Sequence, residues 1–405
     1  MKEDWGRLLA ALISSLRDFQ LAEDCLADAF TSALEHWRRG VPDNPQGWLL
    51  QTARRRAIDR IRRARNFDRK TPDLALLMEM DRADSEEEAA QEIPDERLRL
   101  IFTACHPSLD QKTQVALTLR TLCGLSTVEI ARAFLDRDDA MAQRLVRARQ
   151  KISKAGISYA VPGPEDWEER LNAVLRVIYL IFNEGHLARL SLVEEAMRLA
   201  DLLNELQPGD AEILGLVALM QLTHARSGAS LGADGVLVSL DAQDRGLWDQ
   251  GAMEEGRRLI EKTLRLGRPG PFQLQAAIAA IHSEADRFEE TRWHEIVLIY
   301  GRLLELSANP VVDLNRAVAL SYAAGPEVAL KAIAGLEDVL GRYPSYHAAK
   351  ADFLKRSGAV SQALVSFQTA IGLSDREADK LFLVRKFDQA KKEAEQSSAQ
   401  VQQGG

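Results

Sequence analysis

Apolar residues recur every three or four positions through most of this chain, which is the spacing of amphipathic helices. A clear example follows residue 48, where the apolar stripe consists of Leu49, Ala53, Ala57, Ile58 and Ile61. No run of any length alternates apolar and polar residues as a strand does. Aromatic residues are scarce, while Ala, Leu, Glu and Arg abound, which favours helices. The pattern therefore predicts an all-α protein.

Residues 125–152 have the pattern of a helix-turn-helix. Ser126 has the side chain of an N-cap, and Glu129 completes a capping box three residues later. A turn over 135–138 leads into a second helix over 139–152. The side chains predicted to pack inward are Val128, Ile130, Ala131 and Phe134 in the first helix and Met141, Leu145, Ala148 and Ile152 in the second. An ordinary helical hairpin is the alternative.

The outward side chains of that second helix suit DNA; they are Gln143, Arg144, Arg147, Arg149 and Lys151. In a helix-turn-helix the second helix enters the major groove, its first turn contacts base edges and later basic residues hold phosphates. Gln143 and Arg144 are therefore the candidates for base recognition. Asp139, near the helix start, can satisfy free amides or accept from a cytosine amino group.

The last third of the chain repeats with a 34-residue period. Gly358, Ala363, Phe367 and Ala370 have the spacing of a tetratricopeptide unit that starts near Pro344, and a second unit starts near Pro310. Such a period predicts stacked helix pairs with a concave face. From about 166 to 266 the chain is helical but the period is degenerate, and 228–249 breaks the helical pattern.

Charge is distributed unevenly along a chain whose net charge is -8. Residues 38–70 hold eleven Arg or Lys against three Asp or Glu, and residues 97–156 hold eleven against five. Between them, residues 71–96 hold one basic and ten acidic groups, which predicts a solvated tether. Nucleic acid is the first candidate partner for the two basic segments. For 38–70 the alternative is a solvated amphipathic helix.

Several other functions find little support in the sequence. Cys25, Cys105 and Cys123 are too scattered for a disulfide framework or a zinc site and predict buried thiols in a reducing cytoplasm. No segment has the length and composition of a membrane span or a signal peptide. No phosphate-binding glycine loop, metal-ligand spacing or nucleophile elbow is present, so neither an enzyme nor a cofactor is predicted.

Two sets of motifs resemble the extracytoplasmic-function sigma factors. Their region 2 is similar to residues 18–30 (DFQLAEDCLADAF) and 44–60 (NPQGWLLQTARRRAIDR), and their region 4 is similar to 93–107 (IPDERLRLIFTACHP) followed by 125–152. The subgroup with a long tetratricopeptide-like extension is similar to this chain at 181–185, 243–248 and 267–280.

The resemblance implies five segments: region 2 over 1–70, an acidic linker over 71–92, region 4 over 93–157, a helical extension over 158–395 and a disordered tail over 396–405. The first two domains are small and helical, and the extension is an α-solenoid. The implied partners are promoter DNA, core RNA polymerase through its β′ clamp helices and β flap, and a protein or ligand on the repeat face.

The resemblance also assigns roles to particular residues. Polymerase contacts fall on Asp24 and Asp28, with Phe30 and Trp37 packing that helix. Contacts to the minus-ten element fall on Asn44, Trp48, Arg54, Arg55, Arg56 and Arg60. Contacts to the minus-thirty-five element fall on Ser126, Asp139, Met141, Gln143, Arg144, Arg147 and Arg149. Contacts that organise the extension fall on Asn183, Glu184, Asp244, Arg245 and Trp248.

The sequence thus predicts a non-catalytic cytoplasmic sigma factor that directs promoter-specific initiation and is regulated in cis by its extension. The alternative is a stand-alone helix-turn-helix regulator whose repeat domain senses a protein or ligand. A repeat scaffold with incidental basic helices is a third hypothesis, and the pairing of an Arg-rich helix with a helix-turn-helix argues against it.

Overall fold

A computed structural model describes residues 2–65, 96–134, 136–186, 190–232, 234–267 and 269–403. The described residues are predominantly helical and contain no named strand; one isolated bridge pairs Leu231 with Leu237. The predicted all-α class is confirmed. Contacts divide the chain into a first unit, Met1–Leu206, and a second unit, Gln207–Gly405.

The first unit begins with a three-helix module, α1 to α3. These helices are α1 Lys2–Leu16, α2 Phe19–His36 and α3 Pro45–Arg65. Asp18 starts α2 because its carboxylate accepts a hydrogen bond from the Leu21 amide at 3.0 Å. The core of the module is made by the apolar stripes of the three helices, including Leu9, Leu26 and Ala57, all fully buried.

A second module, α4 to α7, follows in the same unit, and we call it the helix-turn-helix module because α6 and α7 are the two helices of the predicted motif. Its helices are α4 Arg97–Ala104, α5 Gln111–Thr121, α6 Thr127–Ala133 and α7 Asp138–Lys154. The predicted inward residues Met141, Leu145 and Ala148 are buried, as are Ile130 and Ala131. Val128 is 39% exposed, so its prediction as an inward residue is wrong. Helix α7 starts at Asp138, one residue before the predicted start. Leu135 of the predicted turn lies outside the described residues.

Two further helices complete the first unit: α8 Trp167–His186 and α9 Leu190–Leu206. They pack on each other, and α8 also packs on α4 and α5. Residues 167–206 therefore belong to the compact unit of the helix-turn-helix module, although the sequence placed them in the extension from 158. The physical reason is apolar packing: Leu171, Val174 and Ile178 are buried along one face of α8.

The second unit consists of helix pairs. Its helices are α10 Ala211–His224, α11 Gln250–Leu264, α12 Pro271–Glu284, α13 Trp293–Leu306, α14 Pro310–Ala323, α15 Pro326–Ile333, α16 Glu337–Leu340, α17 Pro344–Arg356, α18 Val360–Leu373 and α19 Glu377–Gln403. Pro310 and Pro344 each stand at the first position of a helix, where a missing amide proton costs nothing. These are the two predicted starts of repeat units.

The remaining predicted segments are the C-terminal tail, the acidic linker and the interruption at 228–249. Residues 396–403 continue α19, so the predicted disordered tail is wrong for that stretch; Gln and Ala are good helix formers. The predicted acidic linker, 71–92, lies outside the described residues. Between α10 and α11 the described residues form three short 3-10 helices and the bridge of Leu231 with Leu237, where the sequence predicted an interrupted helical pattern at 228–249. Across the described ranges no helix has the length and apolarity needed to cross a membrane.

Candidate nucleic-acid interface

The basic helix α3 is positioned by its first turn. The Asn44 side chain accepts a hydrogen bond from the Gly47 amide at 2.9 Å, so Asn44 acts as a cap in this structure. The Trp48 ring packs against the rings of Trp37 at 5.6 Å and His36 at 5.9 Å. Two of the residues predicted to contact the minus-ten element, Asn44 and Trp48, therefore hold the start of α3 against the end of α2.

The arginines of α3 divide into two groups. Arg55, Arg62 and Arg63 are exposed. Arg56 and Arg60 lie over α2: Arg60 donates to Asp28 at 2.8 Å and lies 3.6 Å from Asp24, and Arg56 lies 3.3 Å from Asp28. Arg54 is partly buried. The four-residue spacing of the two arginines matches that of the two acids, and the Arg56 and Arg60 side chains remain 42% and 40% exposed. Their contact with the minus-ten element stays a prediction.

The predicted polymerase-binding positions lie on α2 and its end. The Asp24 and Asp28 side chains remain 46% and 38% exposed despite their ion pairs. Phe30 packs at 5.7 Å from Trp5, and Trp37 packs on Trp48. The two acids are thus accessible to a partner, while the two aromatic residues pack within the module as predicted.

The capping box predicted at the start of α6 is present. The Ser126 amide donates to Glu129 at 2.7 Å, and the Glu129 amide donates to the Ser126 hydroxyl at 3.2 Å. This reciprocal pairing satisfies two amides that the first turn of α6 leaves open. Because its hydroxyl is used in this way, Ser126 fixes the start of α6.

The outer face of α7 presents a polar surface cavity of about 320 Å³, which is lined by Asp110, Gln143, Arg144, Arg147 and Lys151 among others. Gln143 and Arg147 are exposed. Arg144 lies 3.6 Å from Asp136 and 3.8 Å from Asp110, two acids that neutralise part of its charge. The pKa of Asp136 lies below its ordinary value, chiefly because Lys112 hydrogen-bonds its carboxylate.

Other predicted residues of α7 do not lie on this outer face. Met141 is fully buried, so it supports the helix and its prediction as a DNA contact is wrong. Asp139 pairs with Arg137 at 2.8 Å, next to the first amides of α7. The Arg149 side chain is only 12% exposed and donates to Glu23 on α2 at 2.5 Å, so its predicted outward position is also wrong.

Glu23 and Arg120 were not predicted as functional residues. Glu23 lies on the buried stripe of α2 beside Ala22 and Leu26, and it accepts hydrogen bonds from both Arg120 and Arg149 at 2.5 Å. The signal was a single acid on an otherwise apolar face. An acid is rarely buried in a soluble protein unless it is paired, so that position indicated a cationic partner.

The residues predicted to organise the extension lie in different surroundings. Arg245 donates to the carbonyls of His282 and Ala285 at 2.6 and 2.7 Å, and its guanidinium lies 4.5 Å from the ring of the buried Trp248. Asp244 caps its own turn through the Gly246 amide at 2.9 Å. Asn183 and Glu184 belong to α8 in the first unit; Asn183 is partly buried and Glu184 is exposed.

The three cysteines are buried thiols, as predicted. Burial raises the pKa of Cys25 to about 11 and that of Cys105 to about 12, and it raises the pKa of Cys123 as well. A thiol with such a pKa stays protonated at neutral pH, so these groups pack and do not react.

Comparison with known proteins agrees with this geometry. Residues 3–67, which span α1 to α3, match the family model of sigma-70 region 2. The three-helix module is thus similar to sigma-70 region 2, on a chain whose described residues are helical. Residues 170–264 match a family of unknown function (DUF6596).

Two similar proteins extend the comparison. The uncharacterized protein R00370 of Rhizobium meliloti (strain 1021) is 40% identical over 393 residues, covering 94% of this chain and 92% of the relative. The chain belongs to the same family as that protein. The probable ECF RNA polymerase sigma factor SigI of Mycobacterium tuberculosis (strain H37Rv) is 27% identical over 145 residues, which cover 36% of this chain and 50% of SigI.

Proposed function

We propose that this chain is a sigma factor of the extracytoplasmic-function type, which binds core RNA polymerase and directs initiation at promoters with minus-ten and minus-thirty-five elements. One observation carries the proposal: a region 2 domain stands in the same chain as a capped helix-turn-helix whose second helix exposes Gln143 and Arg147. The named function of the similar protein SigI supports it.

In this proposal each module has its own DNA element. Arg55, Arg62 and Arg63 on α3 hold the backbone of the minus-ten strand, since exposed cations neutralise phosphates without reading bases. Gln143 and Arg144 on α7 contact base edges of the minus-thirty-five duplex, and Arg147 holds a phosphate. Extruding a minus-ten base costs a few kcal/mol, which contacts between that base and the protein must offset.

Polymerase contacts complete the assignment. The β′ clamp helices dock on α2 through Asp24 and Asp28, whose carboxylates remain partly exposed. The β flap binds the helix-turn-helix module. The chain supplies recognition and positioning, and the polymerase supplies the chemistry.

We also propose that the C-terminal helices regulate this activity in cis. The support is the packing of α8 on the helix-turn-helix module: Arg170 donates to the Phe102 carbonyl at 2.6 Å, and the Trp167 ring packs 5.3 Å from the Phe102 ring. On α9, Arg198 donates to the Leu122 carbonyl at 3.4 Å. The helix pairs that begin at Pro310 and Pro344 then provide a tetratricopeptide-like surface for a partner.

The central test is transcription with purified components. Run-off transcription is measured on the DNA upstream of the gene, with bacterial core RNA polymerase, with the protein, and with both. Initiation that needs both establishes the sigma function. Tight binding of duplex promoter DNA by the protein alone, with no effect on the polymerase, would favour the stand-alone helix-turn-helix regulator.

Regulation in cis has a separate test. Truncation after Leu206 removes the second unit and keeps α8, whose Trp167 packs on Phe102. The expected result is a change in transcription or in polymerase affinity relative to the full chain. Equal activity and equal affinity of the two proteins would refute control by the second unit.

A further inference from the structure

Glu23 joins the two modules that the proposed function assigns to different promoter elements. It lies on α2 with 4% of its surface exposed. Its two carboxylate oxygens accept from Arg120 of α5 and Arg149 of α7, each at 2.5 Å. The partners are 97 and 126 residues away in the chain. The pairing therefore exists only while the three-helix module and the helix-turn-helix module are packed together.

A buried carboxylate held by two arginines determines how the two modules pack together, but it adds little to the stability of that packing. Removing three charged groups from water is costly, and good geometry is needed to offset that cost. If the modules separate, water solvates all three groups and the cost disappears. Such a cluster suits a contact that must open, because the closed and open states can then be close in free energy.

The same cluster reaches both proposed binding surfaces. Arg149 also donates to the Gln20 side-chain oxygen at 2.6 Å, and the Gln20 amide donates to Asp24 at 3.0 Å. One continuous network thus runs from the second helix of the helix-turn-helix to the acid proposed to contact polymerase. A partner that binds Asp24 competes with Gln20, and a phosphate that binds Arg149 competes with Glu23.

We propose that Glu23 is a latch that holds the two modules closed and withholds Arg149 from DNA, and that polymerase docking on α2 releases it. This inference rests on the proposed function. In the open state Arg149 exchanges its carboxylate partner for a DNA phosphate. Coupling between two binding events is reciprocal, so a change that opens the latch should raise the affinity for polymerase and the affinity for DNA alike.

Uncharged residues of α1 also hold the two modules together. A Cβ at Gly6 would lie 2.9 Å from the Leu122 carbonyl oxygen, and Trp5 packs against Gly124. Tyr159 donates to the Ala10 carbonyl at 3.0 Å. The contact between the modules can therefore be weakened in two independent ways, by removing the Glu23 charge or by adding a methyl group at Gly6.

The test uses the full-length chain with the substitution Glu23→Gln. The matched control is Glu35→Gln, the same change at an exposed position of the same helix. Small-angle scattering measures the radius of gyration, and fluorescence anisotropy measures binding of duplex promoter DNA without polymerase. We expect Glu23→Gln to expand the protein and to bind DNA at least about fivefold more tightly, at the low end of typical coupling, while Glu35→Gln matches the unmodified protein.

Two further variants keep the test decisive. Gly6→Ala should expand the protein and raise DNA affinity while every charge is kept, with circular dichroism checking that helices are intact. Arg149→Gln should expand it without a gain in affinity, because the released cation is gone. Unchanged dimensions and affinity in both Glu23→Gln and Gly6→Ala would overturn the latch.

Failure of the latch proposal can be distinguished from failure of the proposed sigma function. If the unmodified protein does not support initiation with core polymerase, the sigma proposal fails, while scattering and DNA binding still report on opening of the modules. If initiation occurs, Glu23→Gln should also raise polymerase affinity by a similar factor. A gain in DNA affinity with no gain in polymerase affinity would refute the coupling to docking.

Discussion

Arg60 donates a hydrogen bond to Asp28 at 2.8 Å, which links α3 to α2. The proposed function assigns Asp28 to polymerase binding, whereas the family resemblance assigned Arg60 to contacts with DNA. The pair therefore has an internal structural role that any mutational study of either partner must separate from binding. Arg56, 3.3 Å from the same carboxylate, shares in that role.

A double-mutant cycle separates the two roles of Asp28. The pair is partly exposed, so Asp28→Ala and Arg60→Ala should show a coupling energy of about 0.5–1 kcal/mol in thermal unfolding. Asp28→Ala should also weaken binding to core polymerase in the Arg56→Ala/Arg60→Ala background, where neither internal pair of Asp28 remains. If polymerase affinity in that background is independent of Asp28, the residue serves folding alone.

Arg147 is the exposed arginine of α7 that lines the polar cavity. Arg147→Ala should weaken promoter binding by the polymerase complex roughly five- to tenfold, about 1 kcal/mol, and lower the slope of log affinity against log salt by about 1. Arg258→Ala removes an exposed arginine from the second unit and is the control. Binding measured from 50 to 200 mM salt checks both quantities. An unchanged salt slope would show that Arg147 holds no phosphate.

His282 should make the second unit sensitive to acid. Burial, with Arg226 and Arg245 nearby, lowers its pKa from 6.5 to about 4. Between these values the unfolded chain binds a proton that the folded chain does not, so stability is complete above pH 6.5 and falls as pH drops towards 4. The loss amounts to about 3 kcal/mol for a shift of this size.

Urea unfolding at pH 7.0, 5.5 and 4.5 measures that loss. The His282→Gln variant should be less dependent on pH than the unmodified protein, because no proton is taken up at this position. His294→Gln, at an exposed histidine, should keep the original dependence. Parallel pH profiles for the two variants would contradict the assignment to His282.

Local signals in the sequence predicted local structure well. The capping box of Ser126 and Glu129 formed because both partners lie within one helical turn. The starts at Pro310 and Pro344 follow from the residue type that a first helical position tolerates. The inward face of α7, including Met141, followed from its period. The resemblance nevertheless listed Met141 among the DNA contacts, against that period.

Contacts between distant segments were not predictable. The partners of Glu23 lie 97 and 126 residues away, and nothing within one helix specifies them. Arg149 has the same local pattern as Arg147, and only packing against α2 buries one and leaves the other exposed. The site could thus be predicted as a set of helices and charges, but the choice of which charges face outward depends on tertiary packing.

Gly185 should be required for the contact of α8 with α9. A Cβ at this position would lie 2.5 Å from the Val193 amide nitrogen and 2.9 Å from the Leu192 carbonyl carbon, and backbone atoms cannot move aside as a flexible side chain can. Gly185→Ala should therefore destabilise the first unit by about 1–3 kcal/mol, although alanine favours helix more than glycine. Gly301→Ala is the control, because a Cβ there meets no atom within 4 Å; it should be neutral or stabilise by up to about 1 kcal/mol. Thermal unfolding of both variants checks the difference, and equal shifts would show that α8 and α9 separate easily at Gly185.

Because α8 also packs on α4 and α5, a destabilised Gly185→Ala protein should in addition expose Phe102 and Cys105, which thiol labelling at Cys105 would detect.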